Sequence, residues 1–486
     1  MREDVDLGLD VSSCFAEAYK PLPYQLVAGQ RGYTLGTILN AFSVGMGKTL
    51  SSWITHEIIR RENGRCKTVV LCPSTLKKQW KAELSAYTDG RVKARIIDGT
   101  PAERRRVYDK FVEVRGTCII ALNYELLLRD AEALAAVFNA ADYVIADEAS
   151  RLKSRTTKTT KLVKKLTKNV PWRCALTATP IEVGIENLYS ILEWLDPRML
   201  GTLTLYRGCY TKCIWLKLRN GRKIPKITGY KNLDDLRRRT EPRRFRLRPK
   251  DVGVQMPEIR AQVAWVDMGD DQQLAYENAR AGALRGLEED ADVNPMVLVG
   301  DAIRACLSPS IVGASGLGAK TEYVCDQLVN EAPDEKALVF CESKKYLVGE
   351  VLPEFKRAGI KAQIICGDTS LDERRALQRA FNAGTIRVLC GTSAMERGLN
   401  LPCGLVYDLD LAWNPSRLIQ RAGRARRLKS EHDHVRVINV LTRNTIEDRV
   451  LGRVLGRRTL SEAIVGADES DPVGFRPHKE DVASLL

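Results

Sequence analysis

The chain has 486 residues, of which 44% are hydrophobic and 28% are charged, a composition that excludes a wholly disordered protein. No run approaches the ~20 apolar residues of a bilayer-spanning helix, and residues 1–20 are too acidic and mixed for a secretion signal. The net charge of +15 predicts a polyanionic partner, because Lys and Arg displace counterions from phosphates, with a merely soluble basic protein as the alternative.

The first 200 residues alternate short apolar runs with amphipathic stretches, a pattern typical of a parallel α/β sheet. Residues 186–198 read as a helix that Pro197 ends. We therefore predict an N-terminal α/β domain over 1–200. Its expected strands are Thr68–Cys72, Arg95–Asp98, Thr117–Leu122, Tyr143–Ala146 and Arg173–Thr177.

Within this domain, Gly45-Met46-Gly47-Lys48-Thr49 has the features of a phosphate-binding loop. Glycines let backbone N–H groups approach phosphates, Lys48 can reach the β- and γ-phosphates, and the Thr49 hydroxyl can hold Mg²⁺. The helix expected over 50–60 directs its positive end at the anion. Phe42 departs from the fuller pattern, which has glycine there.

A second element places Asp147 and Glu148 at the end of the strand 143–146, where α/β sheets bind ligands. Asp147 can hold Mg²⁺ through water, and Glu148 can orient and deprotonate an attacking water. Phosphoryl transfer requires positioning and charge neutralisation, which these residue types supply. ATP and Mg²⁺ are thus the expected cofactors.

The middle of the chain, 201–317, is rich in Arg and Lys and poor in strand-like runs, so we predict a basic, mainly helical insertion. Arg243, Arg244 and Arg246 are expected to track DNA phosphates, a solvated charged face being the alternative. Glycines at 313, 316 and 318 indicate a flexible crossing into the next domain.

Alternation resumes after the crossing and predicts a second α/β domain over 318–463, followed by a loose tail over 464–486. Helices are expected at 344–358 and 371–383. The expected strands are Ala337–Cys341, Lys361–Cys366, Arg387–Gly391, Leu405–Leu409 and Val435–Leu441. Near the end, Gln420 opens a run in which Arg424 and Arg427, three apart, share one helix face.

Taken in order, these motifs resemble those of superfamily-two helicase-type ATPases, and among them the Swi/Snf-like DNA translocases. The resemblance covers about residues 20–455. It rests on the phosphate loop and the segments Pro23-Tyr24-Gln25, Val69–Leu76 with Gln79-Trp80, Ala121–Glu125, Asp147–Lys153, Leu176–Ile181, Leu338–Phe340, Thr392–Leu401, Trp413-Asn414-Pro415 and Gln420–Arg427.

The resemblance implies two RecA-like parallel-sheet lobes in tandem and assigns further roles. It implies that the residues in contact with the nucleotide include Tyr24, Gln25, Met46 and Gly398. It implies that the catalytic residues are Lys48, Asp147, Glu148, Gln420, Arg424 and Arg427, the last two as arginine fingers. Coupling falls to Thr177 and Thr179. DNA-facing positions are Thr75, Asn123, Tyr124, Thr392 and Trp413.

Some positions depart from the family pattern, which often has two glycines where Met395 and Glu396 stand and a Gly-Gln pair where Leu428 and Lys429 stand. The resemblance implies a minimal core motor of phage or bacterial type, so we expect a cytoplasmic protein that moves on duplex or branched DNA, remodelling it or displacing bound proteins. A strand-separating DNA or RNA helicase and a regulatory ATPase subunit of a restriction or defence assembly remain alternatives.

Overall fold

The computed structural model describes residues 11–181, 184–217, 223–289, 299–396, 398–412, 415–426, 431–448 and 451. These fold as two compact units that divide after Gly253. The strands are β1 Thr37–Asn40, β2 Lys67–Cys72, β3 Arg95–Ile96, β4 Cys118–Asn123, β5 Tyr143–Asp147, β6 Trp172–Leu176, β7 Thr211–Lys217, β8 Lys223–Tyr230, β9 Arg244–Phe245, β10 Glu258–Val266, β11 Ala337–Phe340, β12 Ala362–Ile365, β13 Val388–Gly391, β14 Leu405–Asp408 and β15 His434–Thr442.

Helices cover the faces of the sheets. They are α1 Pro23–Leu35, α2 Lys48–Asn63, α3 Lys77–Tyr87, α4 Pro101–Glu113, α5 Tyr124–Arg129, α6 Ala131–Ala140, α7 Lys158–Leu166, α8 Ile185–Leu195, α9 Leu203–Tyr210, α10 Leu233–Thr240, α11 Asp270–Glu289, α12 Gly300–Leu307, α13 Ala319–Asp326, α14 Leu352–Arg357, α15 Leu371–Asn382 and α16 Pro415–Ala425. Every strand predicted in the two α/β domains is present.

Unit one is built on a seven-stranded sheet in the order β3-β4-β2-β5-β6-β1-β9, with every pair parallel. The interior strand β2 is buried along its whole length, as expected of a parallel strand covered on both faces. One core cluster joins this sheet to α2 and α3 through Ile54, Trp80 and Ile145. The order brings the carboxyl ends of β5, β6 and β1 side by side.

Unit two is built on a six-stranded sheet in the order β10-β15-β14-β11-β13-β12, again parallel throughout. Its core packs Val339, Val388 and Tyr407 of the sheet against Phe355 of α14. The two sheets confirm the predicted fold class of two parallel-sheet domains in tandem.

The basic stretch 201–317 differs from the single, mainly helical insertion that we predicted. Its strand β9 joins the sheet of unit one, whereas β10 joins the sheet of unit two. A β7–β8 hairpin forms a separate antiparallel pair. Composition misled the prediction because short edge strands with charged side chains resemble helical surface. The tail 464–486 lies outside the described residues.

The expected crossing near Gly318 lies inside unit two. A Cβ at Gly318 would come within 2.3 Å of the carbonyl oxygen of Leu307, so the close approach of two chain segments requires glycine there. The buried Glu350 carboxylate fixes this approach by accepting from the Gly318 amide at 2.9 Å and from the hydroxyls of Ser310 and Thr321, each at 2.8 Å. The glycine therefore serves packing, and the division between units falls earlier in the chain.

None of the thirteen cysteines forms a disulfide. Nine are buried, Cys14 and Cys118 are partly exposed, and Cys209 and Cys213 are exposed. In the described part of the chain, no helix combines the length and the hydropathy that a bilayer span requires.

Candidate functional site

The loop between β1 and α2 has the backbone shape of an anion cradle. Gly45 and Gly47 have φ of 86° and 72°, a left-handed conformation that other residues adopt at a cost. Helix α2 starts at Lys48 and runs for 16 residues, so its unpaired N–H groups and positive end face the loop. The amine of Lys48 donates to the carbonyl oxygens of Phe42 at 2.9 Å and Ser43 at 3.1 Å.

The start of α1 packs against this loop. The Tyr24 hydroxyl and the Gln25 amide both donate to the carbonyl oxygen of Met46, at 3.1 and 3.2 Å. A Cβ on Gly47 would come within 2.3 Å of the Gln25 Nε2, so this glycine is also required for close packing. Sequence reasoning placed Tyr24 and Gln25 at the nucleotide through a resemblance, and the structure brings both to the loop.

Asp147 ends β5 and is half-buried. Trp80 of α3 donates from its indole nitrogen to the Asp147 carboxylate at 2.8 Å. Burial raises the pKa of Asp147 to about 7, and the negative charge of Glu148 adds to the rise. A carboxylate in this position gains from a cation, which fits a bound divalent metal. Trp80 was not among the predicted site residues, and no sequence signal marks it beyond its place in a motif.

Glu148 has a left-handed backbone with φ of 50°, although it is not glycine. Such conformations cost of order 1–3 kcal/mol and occur mainly where the surrounding structure requires a side chain to face a particular way. The Glu148 amide donates to the Asp147 carboxylate at 2.9 Å. The left-handed turn therefore places the Glu148 amide on the Asp147 carboxylate.

The third strand end carries Thr177 and Thr179, both buried. The Thr179 amide donates to the Thr177 hydroxyl at 3.1 Å, which closes a tight turn. Arg246 then joins this turn to the phosphate loop, because its Nη1 donates to the carbonyl oxygens of Ala178 and Ala41, both at 2.9 Å. No feature of the sequence predicts this link.

These contacts change the interpretation of the predicted DNA-tracking arginines. Arg243 donates to the carbonyl of Leu35 at 2.6 Å, and Arg244 is buried in β9, where burial lowers its pKa to about 10. With Arg246 they hold the β9 edge of unit one. Their side chains are directed into the protein, and the geometry gives them a structural role.

The other predicted DNA-facing positions are also mostly engaged inside their own unit. Tyr124 is buried, and its hydroxyl donates to the Asp147 carbonyl at 2.8 Å, while Asn123 donates to Glu125 at 2.7 Å. Thr392 is buried, and its amide donates to the Ile365 carbonyl. Thr75 is partly exposed with a buried hydroxyl oxygen. Trp413 lies outside the described residues.

Helix α16 of unit two carries the arginine-rich motif, in which the arginines have unequal surroundings. Arg421 is fully buried and donates to Glu396 at 2.8 Å and to Asp408 and Asp410 at 2.9 Å. Arg417 also pairs with Glu396. We call this set the α16 ion cluster: Glu342, Glu396, Asp408, Asp410, Arg417 and Arg421. Glu396, noted above as a departure from the family pattern, is thus an acceptor for these arginines.

The residues of α16 that we predicted to be catalytic, Gln420 and Arg424, lie outside the α16 ion cluster. Arg424 donates to the carbonyl oxygens of Leu399 at 3.0 Å and Gln420 at 3.2 Å. The Gln420 Oε1 is buried without a hydrogen-bond partner among the described residues. Gly398 has a left-handed φ of 72°. Arg427 lies outside the described residues.

Comparison with known proteins agrees with these features. Residues 26–303 match the model of the SNF2-related domain, and residues 319–429 match that of the helicase conserved C-terminal domain. The chain is 24% identical to YqhH of Bacillus subtilis, an uncharacterised ATP-dependent helicase, over 93% of this chain and 81% of that protein. It is 23% identical to the mouse DNA repair and recombination protein RAD54B over 92% of this chain and 55% of that protein.

The fold also matches a solved structure, the helicase domain of Hef from Pyrococcus furiosus, with a TM-score of 0.52 and 16% identity over 89% of this chain and 98% of that one. The chain spans only about half of RAD54B, so similarity to that protein concerns this part alone. Since the SNF2-related match alone covers more than half of the chain, and the parallel sheets, the phosphate loop and the strand-end carboxylates accompany it, the chain belongs to the SNF2-related family of helicase-type ATPases.

Proposed function

We propose that the protein is an ATP-driven motor that translocates on double-stranded or branched DNA, remodelling DNA structures or displacing bound proteins. The observation that carries the proposal is the physical link in unit one between the phosphate loop and the Thr177–Thr179 turn, made by Arg246. A link of this kind lets a change at the nucleotide move another part of the unit. Membership of the SNF2-related family and the net charge of +15 support it.

ATP with Mg²⁺ fits the unit-one site. The proposal places the adenine by Tyr24 and Gln25 and the phosphates in the cradle formed by Gly45, Met46 and Gly47. Lys48 binds the β- and γ-phosphates, and Thr49 and Asp147 hold the metal. When bound, Mg²⁺ neutralises charge on the phosphate oxygens. Glu148 accepts the proton of the attacking water, while Gln420, Arg424 and Arg427 promote hydrolysis as the family resemblance implies.

The polymer is proposed to be DNA because a relative, mouse RAD54B, is a DNA repair and recombination protein, and because the chain is strongly basic. Recognition is directed at the backbone, since aromatic residues are only 6% of the chain and phosphates attract its many cations. We continue to expect a cytoplasmic location.

The proposal is tested by measuring ATP hydrolysis with no nucleic acid and with single-stranded DNA, duplex DNA, forked DNA and RNA. Duplex or forked DNA should stimulate the rate most. In parallel, the motor should displace the third strand of a DNA triplex without releasing the strands of the duplex. Efficient strand separation, or stimulation by RNA alone, would favour the strand-separating helicase, and no stimulation would favour the regulatory subunit.

A further inference from the structure

The β7–β8 hairpin of unit one is unlike the rest of the molecule. Among the strands that the structure describes, β7 and β8 pair only with each other, in a register that runs from Thr211 opposite Tyr230 to Lys217 opposite Lys223. A two-stranded sheet is marginally stable in water unless something packs against it. The hairpin must therefore be held by packing at its base.

Aromatic side chains hold that base firmly. The Tyr206 and Tyr210 rings of α9 pack with centroids 5.1 Å apart, and Tyr206 lies 4.7 Å from Tyr189 of α8. The Tyr206 hydroxyl donates to the Ile185 carbonyl at 2.9 Å, and the Tyr210 hydroxyl donates to Asp235 at 2.7 Å. The hairpin thus projects from a rigid support.

The projecting strand β7 exposes large apolar side chains. Trp215 is 68% exposed on one face of β7, and Ile214, which is 49% exposed, lies on the other face with the exposed Lys212. Trp buries more apolar area than almost any other residue when it finds a partner, so its exposure on a rigid projection indicates a contact surface.

Charge narrows the class of partner. The segment 211–231 contains seven Lys and Arg residues and no Asp or Glu. This segment has many cations, no acidic residue and an exposed indole. Such a surface fits a polyanion that also has flat faces for stacking. Single-stranded nucleic acid has both properties, because its phosphates attract lysine and its unpaired bases stack on aromatic rings.

We infer that the β7–β8 hairpin binds DNA at sites with unpaired bases, such as the branch of a fork. Lys212 contacts a phosphate, and Trp215 stacks on an unpaired base. A blunt duplex offers no base face along its length, so the hairpin distinguishes branched from continuous DNA. The inference rests on the proposed function for the identity of the polymer as DNA.

The base of the hairpin also meets the start of α8, which begins six residues after Thr179. Besides the Tyr206 bond to Ile185, a Cβ at Gly184 would come within 2.8 Å of the Tyr230 hydroxyl oxygen. DNA on the hairpin is therefore held by the same rigid part of unit one that carries the Thr177–Thr179 turn. Binding there is expected to lower the concentration of forked DNA that half-stimulates hydrolysis.

The test compares Trp215→Ala, Trp215→Phe and Lys212→Ala with a matched control, Leu274→Ala, in which an equally prominent apolar side chain, 61% exposed, is removed from α11. Fluorescence anisotropy of the full chain measures the affinity for a labelled forked DNA and for a blunt duplex of equal length. Trp215→Ala should weaken forked DNA binding about tenfold, with a much smaller loss for the blunt duplex.

The remaining variants separate stacking from charge. Trp215→Phe should recover most of the affinity, because its ring still stacks. Lys212→Ala should reduce the slope of log affinity against log salt by about one. Leu274→Ala should leave both DNAs unaffected. Thermal midpoints of all four variants should agree, since none of these exposed side chains belongs to the core.

The inference is overturned if Trp215→Ala binds forked DNA as tightly as Leu274→Ala, or if the loss is equal for the two DNAs. DNA-stimulated ATP hydrolysis that survives alongside either result would leave the proposed function standing. A wild-type protein that binds forked DNA through Trp215 but shows no DNA-stimulated hydrolysis would support the hairpin site and contradict the proposed function.

Discussion

The phosphate loop of unit one and helix α16 of unit two both carry cationic side chains, but the partners of these side chains differ. Lys48 donates to backbone carbonyls, whereas Arg421 is enclosed by three carboxylates. A carbonyl is a modest partner that a phosphate can replace, but a buried ion cluster cannot open without leaving charges unpaired. The comparison indicates that Lys48 can exchange its partners for a ligand, whereas Arg421 stabilises the fold, although both residues lie within sequence motifs.

Removing the loop cation gives the largest expected effect. Lys48→Ala should lower the rate of ATP hydrolysis about 1,000-fold or more, because the phosphates lose the amine that neutralises them. DNA binding and thermal stability should be retained. Steady-state hydrolysis and DNA anisotropy check this, with Lys110→Ala, an exposed lysine of α4, as control. Loss of fold in Lys48→Ala would contradict the comparison.

Removing Arg421, the cation enclosed by carboxylates, should lower the stability of the fold. Arg421→Met should lower the free energy of unfolding by about 3–5 kcal/mol, because Glu396, Asp408 and Asp410 keep buried charge without its partner. Urea unfolding followed by circular dichroism measures the change. Arg436→Met, which removes a half-exposed pair with Glu335 in the same unit, should cost at most about 1 kcal/mol. Equal effects for the two variants would show that the α16 ion cluster is not structural.

The link between the loop and the coupling turn should have an intermediate effect. Arg246→Ala should reduce the DNA-stimulated kcat about tenfold while ATP affinity changes little, because loss of positioning affects rate more than ground-state binding. Arg248→Ala removes a neighbouring arginine whose pair with Asp251 is local, and it should leave kcat unchanged. A fall in ATP affinity with normal kcat would instead make Arg246 a binding residue.

The smallest expected effect concerns His56, a buried neutral side chain, and the pH dependence of stability. His56 of α2 is buried against Trp53 with ring centroids 4.0 Å apart, and burial followed by the charge of Arg60 lowers its pKa to about 3. Its ordinary value is near 6.5, so the folded state disfavours protonation and loses stability as pH falls below about 6.5.

The loss from His56 should be about 1 kcal/mol between pH 6.5 and 5.5. His56→Phe keeps the stacking on Trp53 and should show a flatter dependence of unfolding free energy on pH over this range. Identical pH dependence in the variant and the wild type would mean that folding does not shift the pKa of His56.

The sequence predicted the fold well because the fold depends on local signals such as the apolar runs that identify parallel strands. Gly45, Gly47 and Lys48 keep the spacing that phosphate binding needs, and the nucleotide site remains a prediction. The sequence did not reveal the carbonyl partners of Arg243 and Arg246 or the burial of Arg244, since a run of arginines looks the same whether its partners are phosphates or carbonyls distant in sequence. The edge strands β9 and β10 were missed because their pairing partners lie far away in the chain.

The role of Trp80 could not be predicted either, because its contact with Asp147 spans 67 positions and follows only from the order of the sheet. The assignments of Arg424, Arg427 and Trp413 remain predictions. The burial of Arg421 inside unit two was likewise not visible in the sequence, because its carboxylate partners Glu396, Asp408 and Asp410 come from other elements.

Because some cysteines are exposed and others are buried, the rates at which they are labelled can measure local unfolding. Cys209 and Cys213 would accept a maleimide dye at once, close to the hairpin base. The thiols of Cys174 in β6 of unit one and of Cys341, directly after β11 of unit two, are buried, and burial raises the pKa of both, so they react only when their surroundings unfold. Labelling rates followed by mass spectrometry of peptides would therefore give a separate opening free energy for each unit in the unmodified chain.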